Sequence, residues 1–255
     1  MKIAVCVKVV PDDQDIIVAS DRTLDNSKAH QVVSEYDLNA IEAAAQLATA
    51  NAAQLVAISA SNARADDLKV KKSILSRGPE ELFMVADDTL ALADARTTAR
   101  VLAKLLEQAG YCDLVVCGDG SADFYAGQVD VQLAALLDRP VVNAVTAMRI
   151  EGNKLVVERT LDDLVEEIEL SLPAVVAVSP DIALPRIAGM REILAAGKKP
   201  ATVSDAVTAG VDITPLVETL SVRAPELAER KRQLYDLKTD GDLNAFTTAV
   251  AAALR

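Results

Sequence analysis

The chain has 255 residues, 51% apolar and 25% charged, and its 26 Lys and Arg against 38 Asp and Glu leave a formal net charge of −12. That balance suits one large globular domain, or one domain with an added arm, and an acidic surface repels phosphate backbones and anionic lipid, which sets nucleic-acid and membrane-surface roles aside. Trp is absent and His30 is the one histidine, so stacking platforms are scarce and chemistry that needs two histidines is excluded on count.

No apolar run approaches the roughly 20 residues of a membrane span. Met1 leads directly into a strand-like segment, so a cytoplasmic protein without an export signal is expected. Cys6, Cys112 and Cys117 cannot all pair, and Cys6 and Cys117 sit in apolar runs, as buried structural thiols do.

Lys2 to Val10 is almost continuously apolar and ends at Pro11, which predicts a strand buried on both faces of a parallel sheet. Gln14 to Leu24 alternates weakly around Asp21-Arg22, as in a small hairpin. Ser34-Glu35-Tyr36-Asp37 has the form of a capping box and predicts a helix of about 13 residues. The pattern repeats with a strand at Gln54–Ser59, a helix at Ala65–Ser76 closed near Gly78, and a strand at Glu81–Val85. A helical stripe over Leu90–Gln108 and a short buried strand at Asp113–Cys117 follow. Val141–Ile150, Lys154–Thr160 and Val165–Leu172 then read as an antiparallel addition, before a buried strand through Val178 and a short helix near Gly189–Ala196. From residue 200 the apolar residues are isolated among prolines and charges, and only Leu243–Leu254 looks helical, which suits an extended arm that embraces a partner. The expected fold is α/β: a doubly wound, mostly parallel, Rossmann-like sheet over residues 1–199, with an antiparallel hairpin addition and a C-terminal arm over 200–255.

The segment richest in chemistry is Val115 to Val129, a Gly-rich polar loop between a buried strand and a new helix. Gly118, Gly120 and Gly127 let the main chain approach a ligand, and free N–H groups at the helix start favour phosphate. The loop is neither a Walker loop nor a GxGxxG fingerprint. Asp119, Asp123 and Asp130 oppose a phosphate unless they face solvent or bond the loop backbone, and a plain strand-to-helix turn without ligand is the competing reading. No GxSxG elbow or acid–base constellation appears, so the chain binds a nucleotide more convincingly than it transforms one.

Taken together, several separated motifs resemble the beta subunit of electron transfer flavoproteins, most closely the Fix-type branch. They are Val7-Lys8-Val9-Val10-Pro11, Tyr36-Asp37-Leu38-Asn39-Ala40-Ile41-Glu42-Ala43-Ala44, Leu75 to Leu82, the loop Gly118 to Val129, Val157-Glu158-Arg159, Leu172 to Val176, and Pro185-Arg186-Ile187 leading to Gly197-Lys198-Lys199-Pro200. The resemblance implies an electron carrier, not an enzyme, that works as a heterodimer. A homologous alpha subunit would hold the redox-active FAD, and this chain would hold AMP or a second FAD. An acyl-CoA dehydrogenase-like or other donor and a quinone oxidoreductase-like acceptor are the implied partners. Carried over by residue, the nucleotide would lie against Cys6, Ser34, Ala60, Gly118, Asp123, Ala126, Gly127, Gln128 and Val129. Glu166 would reach toward the alpha-subunit flavin. Pro185 to Lys199 would dock redox partners through Arg186, Ile187 and the apolar anchor Met190, which local pattern alone reads as core. The chain departs from the family at Asp130, where Gly is usual, and at Phe124, where AMP-binding members carry Asp. A universal-stress-type nucleotide-binding regulator is the alternative, and it has no need of the hairpin or the arm.

Overall fold

Lys2–Cys6 forms strand β1, whose successive side chains divide between two cores: Ile3 and Val5 face one, Ala4 and Cys6 the other. This two-residue period is why a nearly unbroken apolar run is buried on both sides. Val9–Pro11 (β2), Ile17–Val18 (β3), Leu24–Asp25 (β4) and Gln31–Val33 (β5) make two small antiparallel ladders, β2 with β5 and β3 with β4, the latter being the expected hairpin. The chain then alternates: helix α1 (Glu35–Ala50), β6 (Gln54–Ser61), α2 (Leu68–Leu75), β7 (Glu81–Ala86), α3 (Ala95–Ala109), β8 (Leu114–Gly118) and α4 (Val129–Leu137). It continues with β9 (Val141–Glu151), β10 (Lys154–Thr160), β11 (Val165–Ser171), β12 (Ala174–Val178), α5 (Met190–Ala196), β13 (Ala201–Ser204) and α6 (Asp240–Ala253). The structure, a computed structural model, describes residues 1–226 and 232–254.

Nine strands form one sheet in the order β11-β10-β9-β12-β8-β1-β6-β7-β13. Strands β1, β6, β7, β8, β12 and β13 pair in parallel; β10 and β11 are antiparallel. Strand β9 belongs to both parts, parallel to β12 and antiparallel to β10, so the addition is narrower than the sequence reading. Strand β1 has β6 on one side and β8 on the other. The chain therefore winds outward in opposite directions from the centre, and the loops after β1 and β8 part to leave a crevice at the sheet's carboxyl edge. Helices α1 and α2 pack in the core that holds Ile3 and Val5, and α3 and α4 in the core that holds Ala4 and Cys6.

Three local details differ from the sequence reading. Ser34 stands at the start of α1 but makes no capping bond; its hydroxyl accepts instead from Ala122 N at 3.3 Å, and Asp37 turns inward. Helix α3 begins at Ala95 because the Asp94 carboxylate caps it through Thr97 N at 2.7 Å, which leaves Leu92 outside the helix. The sheet also gains an edge strand at Ala201–Ser204, and Ala206 and Ala209 are buried in the core that holds α3 and α4, so the packed core runs past residue 199. Helix α6 is as expected in place, and none of its residues is buried. Residues 227–231 and 255 of the expected arm lie outside the described residues. Among the described residues, no helix is long and apolar enough to cross a membrane.

Candidate functional site

The crevice between the ends of β1 and β8 opens into a cavity of about 350 Å³, a size within the roughly 300–1,000 Å³ of small-molecule sites. Cys6 and Cys117 form part of its floor at the strand ends, Ala60, Leu92 and Leu102 give it an apolar wall, and the loop 118–130 curls over it. Gly120 lets the Tyr125 ring lie against the main chain, since a Cβ there would stand 2.3 Å from that ring. Gly127 is required by conformation, with φ at +59°. Among the described residues, the backbone N–H groups of Ala126, Gly127, Gln128 and Val129 meet no acceptor, while those of Asp119, Ala122, Phe124 and Tyr125 do. Four successive free amides at the start of α4, all from residues that line the cavity, form a site for an anionic oxygen.

The loop's carboxylates are engaged in building it. Asp123 accepts from Lys8 Nζ at 2.7 Å, from Ser121 Oγ at 2.5 Å and from Phe124 N at 2.7 Å. Burial pushes its pKa up, but Lys8 and these hydrogen bonds prevail and hold it below the usual value. Asp119 accepts from Ala144 N at 3.1 Å, and burial raises its pKa. Burial likewise raises Asp130, which is tucked inward at the first turn of α4. Asp37, from α1, accepts from Lys8 N at 2.7 Å and lies under Gly118, where an added Cβ would meet its Oδ1 at 2.8 Å. Burial pushes the Asp37 carboxyl up to about 7, against the opposing hydrogen bonds of Lys8 and Gly118.

Seven of the expected nucleotide residues line the cavity: Cys6, Ala60, Gly118, Ala126, Gly127, Gln128 and Val129. Ser34 and Asp123 do not; both brace the loop from behind. A hydrogen bond with Cys6, together with burial, pushes the Cys117 thiol well up, and all three cysteines are free and buried, as inert structural thiols are.

Sequence reasoning missed two contributors. Lys8 stacks over the Phe124 ring at 5.3 Å as well as pairing with Asp123, and both residues stand between this cavity and an adjoining one of about 920 Å³. Asp94 accepts from Leu216 N at 2.8 Å and Val217 N at 3.1 Å, which fastens the C-terminal segment to the cavity rim; burial opposes ionisation, yet these bonds and those of Thr97 bring its pKa down to about 2. The Asp-Ala-Arg-Thr run at 94–97 carried the cap signal for the first of these contacts; nothing local signalled the second.

Away from the crevice, Glu166 lies across the β10–β11 ladder from Arg159, with 3.9 Å between charges. The segment 184–194 projects apolar side chains: Ile187 is 97% and Met190 73% exposed, so Met190 is no core residue. Arg186 is turned back on α1, where Nε lies 2.5 Å and Nη2 3.0 Å from the carboxylate of buried Glu42. Burial raises Glu42, but Arg186 and Gln46 outweigh it and hold the carboxyl below its usual value. Asn39, one turn earlier, donates to Pro180 O and Ala183 O at 2.9 and 2.8 Å. Among the described residues no cluster of His, Cys, Asp and Glu is placed to hold a metal ion.

A family model described as electron transfer flavoprotein domain matches residues 21–209, which takes in α1, the loop 118–130 and most of the nine-stranded sheet. The chain belongs to the electron transfer flavoprotein family.

Proposed function

We propose that this chain is the beta subunit of a heterodimeric electron transfer flavoprotein of the Fix-type branch, a cytoplasmic electron carrier and not an enzyme, that holds an adenine nucleotide in the crevice between β1 and β8. The observation that carries the nucleotide is the row of amides at Ala126–Val129, bonded to no other protein group, beside an apolar wall: the amides suit a phosphate, and Ala60, Leu92 and Leu102 suit a flat ring. AMP would occupy the crevice itself, and a second FAD would extend past Lys8 and Phe124 into the adjoining cavity.

In this reading FAD in an alpha subunit supplies the electron chemistry when bound. The residues of this chain position it and its partners. The C-terminal segment, fastened at Asp94 and ending in the fully unburied α6, would embrace that subunit, and Glu166 would face its flavin. Ile187 and Met190 would dock an acyl-CoA dehydrogenase-like or other donor, or a quinone oxidoreductase-like acceptor, with Arg186 fixing the base of their loop and not touching the partner itself. A flexible exposed thioether fits an apolar pocket.

The test is to co-express the chain with an alpha-type subunit, isolate the complex, denature it and identify the released nucleotides. One FAD together with one AMP, or two FAD, per heterodimer is the expected result. Two FAD would assign the second flavin to this chain, and failure to form any complex would overturn the reading.

A further inference from the structure

A third cavity, of about 650 Å³, shares Val32, Val33 and Leu38 with the cavity adjoining the crevice and is lined by the segment 28–33, by Arg64, by α2 and by Arg77 after it. Its charge is opposite to that of the molecule. In a chain of net charge −12, four cationic side chains, Lys28, Arg64, Lys69 and Arg77, line it against the single carboxylate of Asp67. That carboxylate is engaged, because its Oδ1 caps α2 by accepting from Lys69 N at 2.7 Å and Val70 N at 3.3 Å. The ion pairs of this region are His30 with Asp15 and Lys71 with Asp66, each at 2.6 Å. Lys28, Arg64, Lys69 and Arg77 have no carboxylate partner among the described residues.

The two guanidinium groups are held in place by neutral oxygens. Arg64 donates to Asn26 O at 2.9 Å and to Ala29 O. Arg77 donates through Nη1 to Ser73 Oγ at 2.8 Å and to Ser73 O, while its Nε is buried with no acceptor. Arg64 is exposed and Arg77 half-buried, so both guanidinium groups can turn N–H donors to the cavity while their neutral partners fix them in place. Fixed guanidinium groups also lose little side-chain entropy when they bind planar oxyanions. Val32, Val33, Leu38 and Val70 supply an apolar lining beside them.

We propose that this cleft is a binding site for a small multivalent oxyanion, a phosphate ester or a di- or tricarboxylate, gripped by Arg64 and Arg77 and closed over by Lys28 and Lys69. The site shares no lining residue with the crevice and does not rest on the nucleotide reading.

Calorimetric titration of the full chain with inorganic pyrophosphate and, separately, with citrate tests it, with chloride at matched ionic strength as the blank. The variants are Arg77→Gln and, as a pair on exposed positions that leaves the fold undisturbed, Lys28→Gln with Lys69→Gln. Saturable one-site binding that weakens at least about tenfold in either variant is expected. Pyrophosphate alone would assign a phosphate ester, citrate alone a polycarboxylate, and either supports the site. Absence of saturation, or binding that the paired lysine variant leaves unchanged, overturns it, the latter by placing the anion elsewhere, as at the free amides of Ala126–Val129.

Discussion

Helices α1 and α6 are built from similar material, sixteen and fourteen residues rich in alanine, and they meet opposite fates. Nine residues of α1 are buried and none of α6 is. Small side chains let α1 lie close against the sheet, so that its remaining polar groups reach inward: Asp37 to the loop above the crevice, Asn39 and Glu42 to the segment that presents Ile187 and Met190. Helix α6 has a complete capping box, Thr239 with Asp242, and packs Phe246 against the nearby Tyr235 ring at 5.6 Å, yet none of its residues is buried. Helix propensity is thus common to both, and packing separates them. The first ties two candidate sites to one core; the second leaves all its side chains accessible.

The sharpest way to break this contrast is a pair of truncations. Ile41→Ala, at a fully buried position of α1, is expected to cost roughly 2–5 kcal/mol in urea unfolding. Leu243→Ala on α6 is expected to change the isolated chain by less than about 0.5 kcal/mol while weakening its complex with an alpha subunit. Equal losses in the isolated chain would refute the contrast.

Next in size is the pH dependence set by Asp37. Its folded-state pKa of about 7 lies above the ordinary 3.8, so the folded form binds more protons between those values and stability falls as pH rises through that window, then levels off. The shift corresponds to at most about 4 kcal/mol. Asp37→Asn keeps an acceptor for Lys8 N and should flatten that part of the stability profile, leaving the variant the more stable one at pH 8. An unchanged slope would contradict it.

The Glu42–Arg186 pair predicts an asymmetry. Arg186→Ala strands a buried carboxylate, whereas Glu42→Ala leaves a guanidinium that reaches solvent, so the first should cost more, between the ~1 kcal/mol of an exposed pair and the ~3–5 of a buried one. Both should speed amide exchange across 183–190. The smallest effect belongs to Thr239→Ala, expected to lower the helicity of α6 with no shift in the main unfolding transition.

Much of this was legible in the residues. The two-sided strand at Lys2–Cys6, the alternation of strands and helices, and the glycine loop after β8 all follow from period and turn chemistry, because they are decided within a dozen neighbours. What was not legible depends on distant partners. Ser34 has the form of a cap, but its oxygen is taken by Ala122, far along the chain. Ala201–Ser204 is too short to announce a strand without the edge of β7 to pair with. Arg186 lies in a segment that faces outward, and only Glu42 turns it inward. The convergence of Lys28, Arg64, Lys69 and Arg77 is likewise invisible until the fold gathers them.

The most direct test of the account is amide exchange, read by NMR, at Ala126, Gly127, Gln128 and Val129 as AMP is added. Selective protection of these four amides, saturating with AMP, is predicted. Saturable AMP binding that leaves them exchanging as before would contradict the central claim.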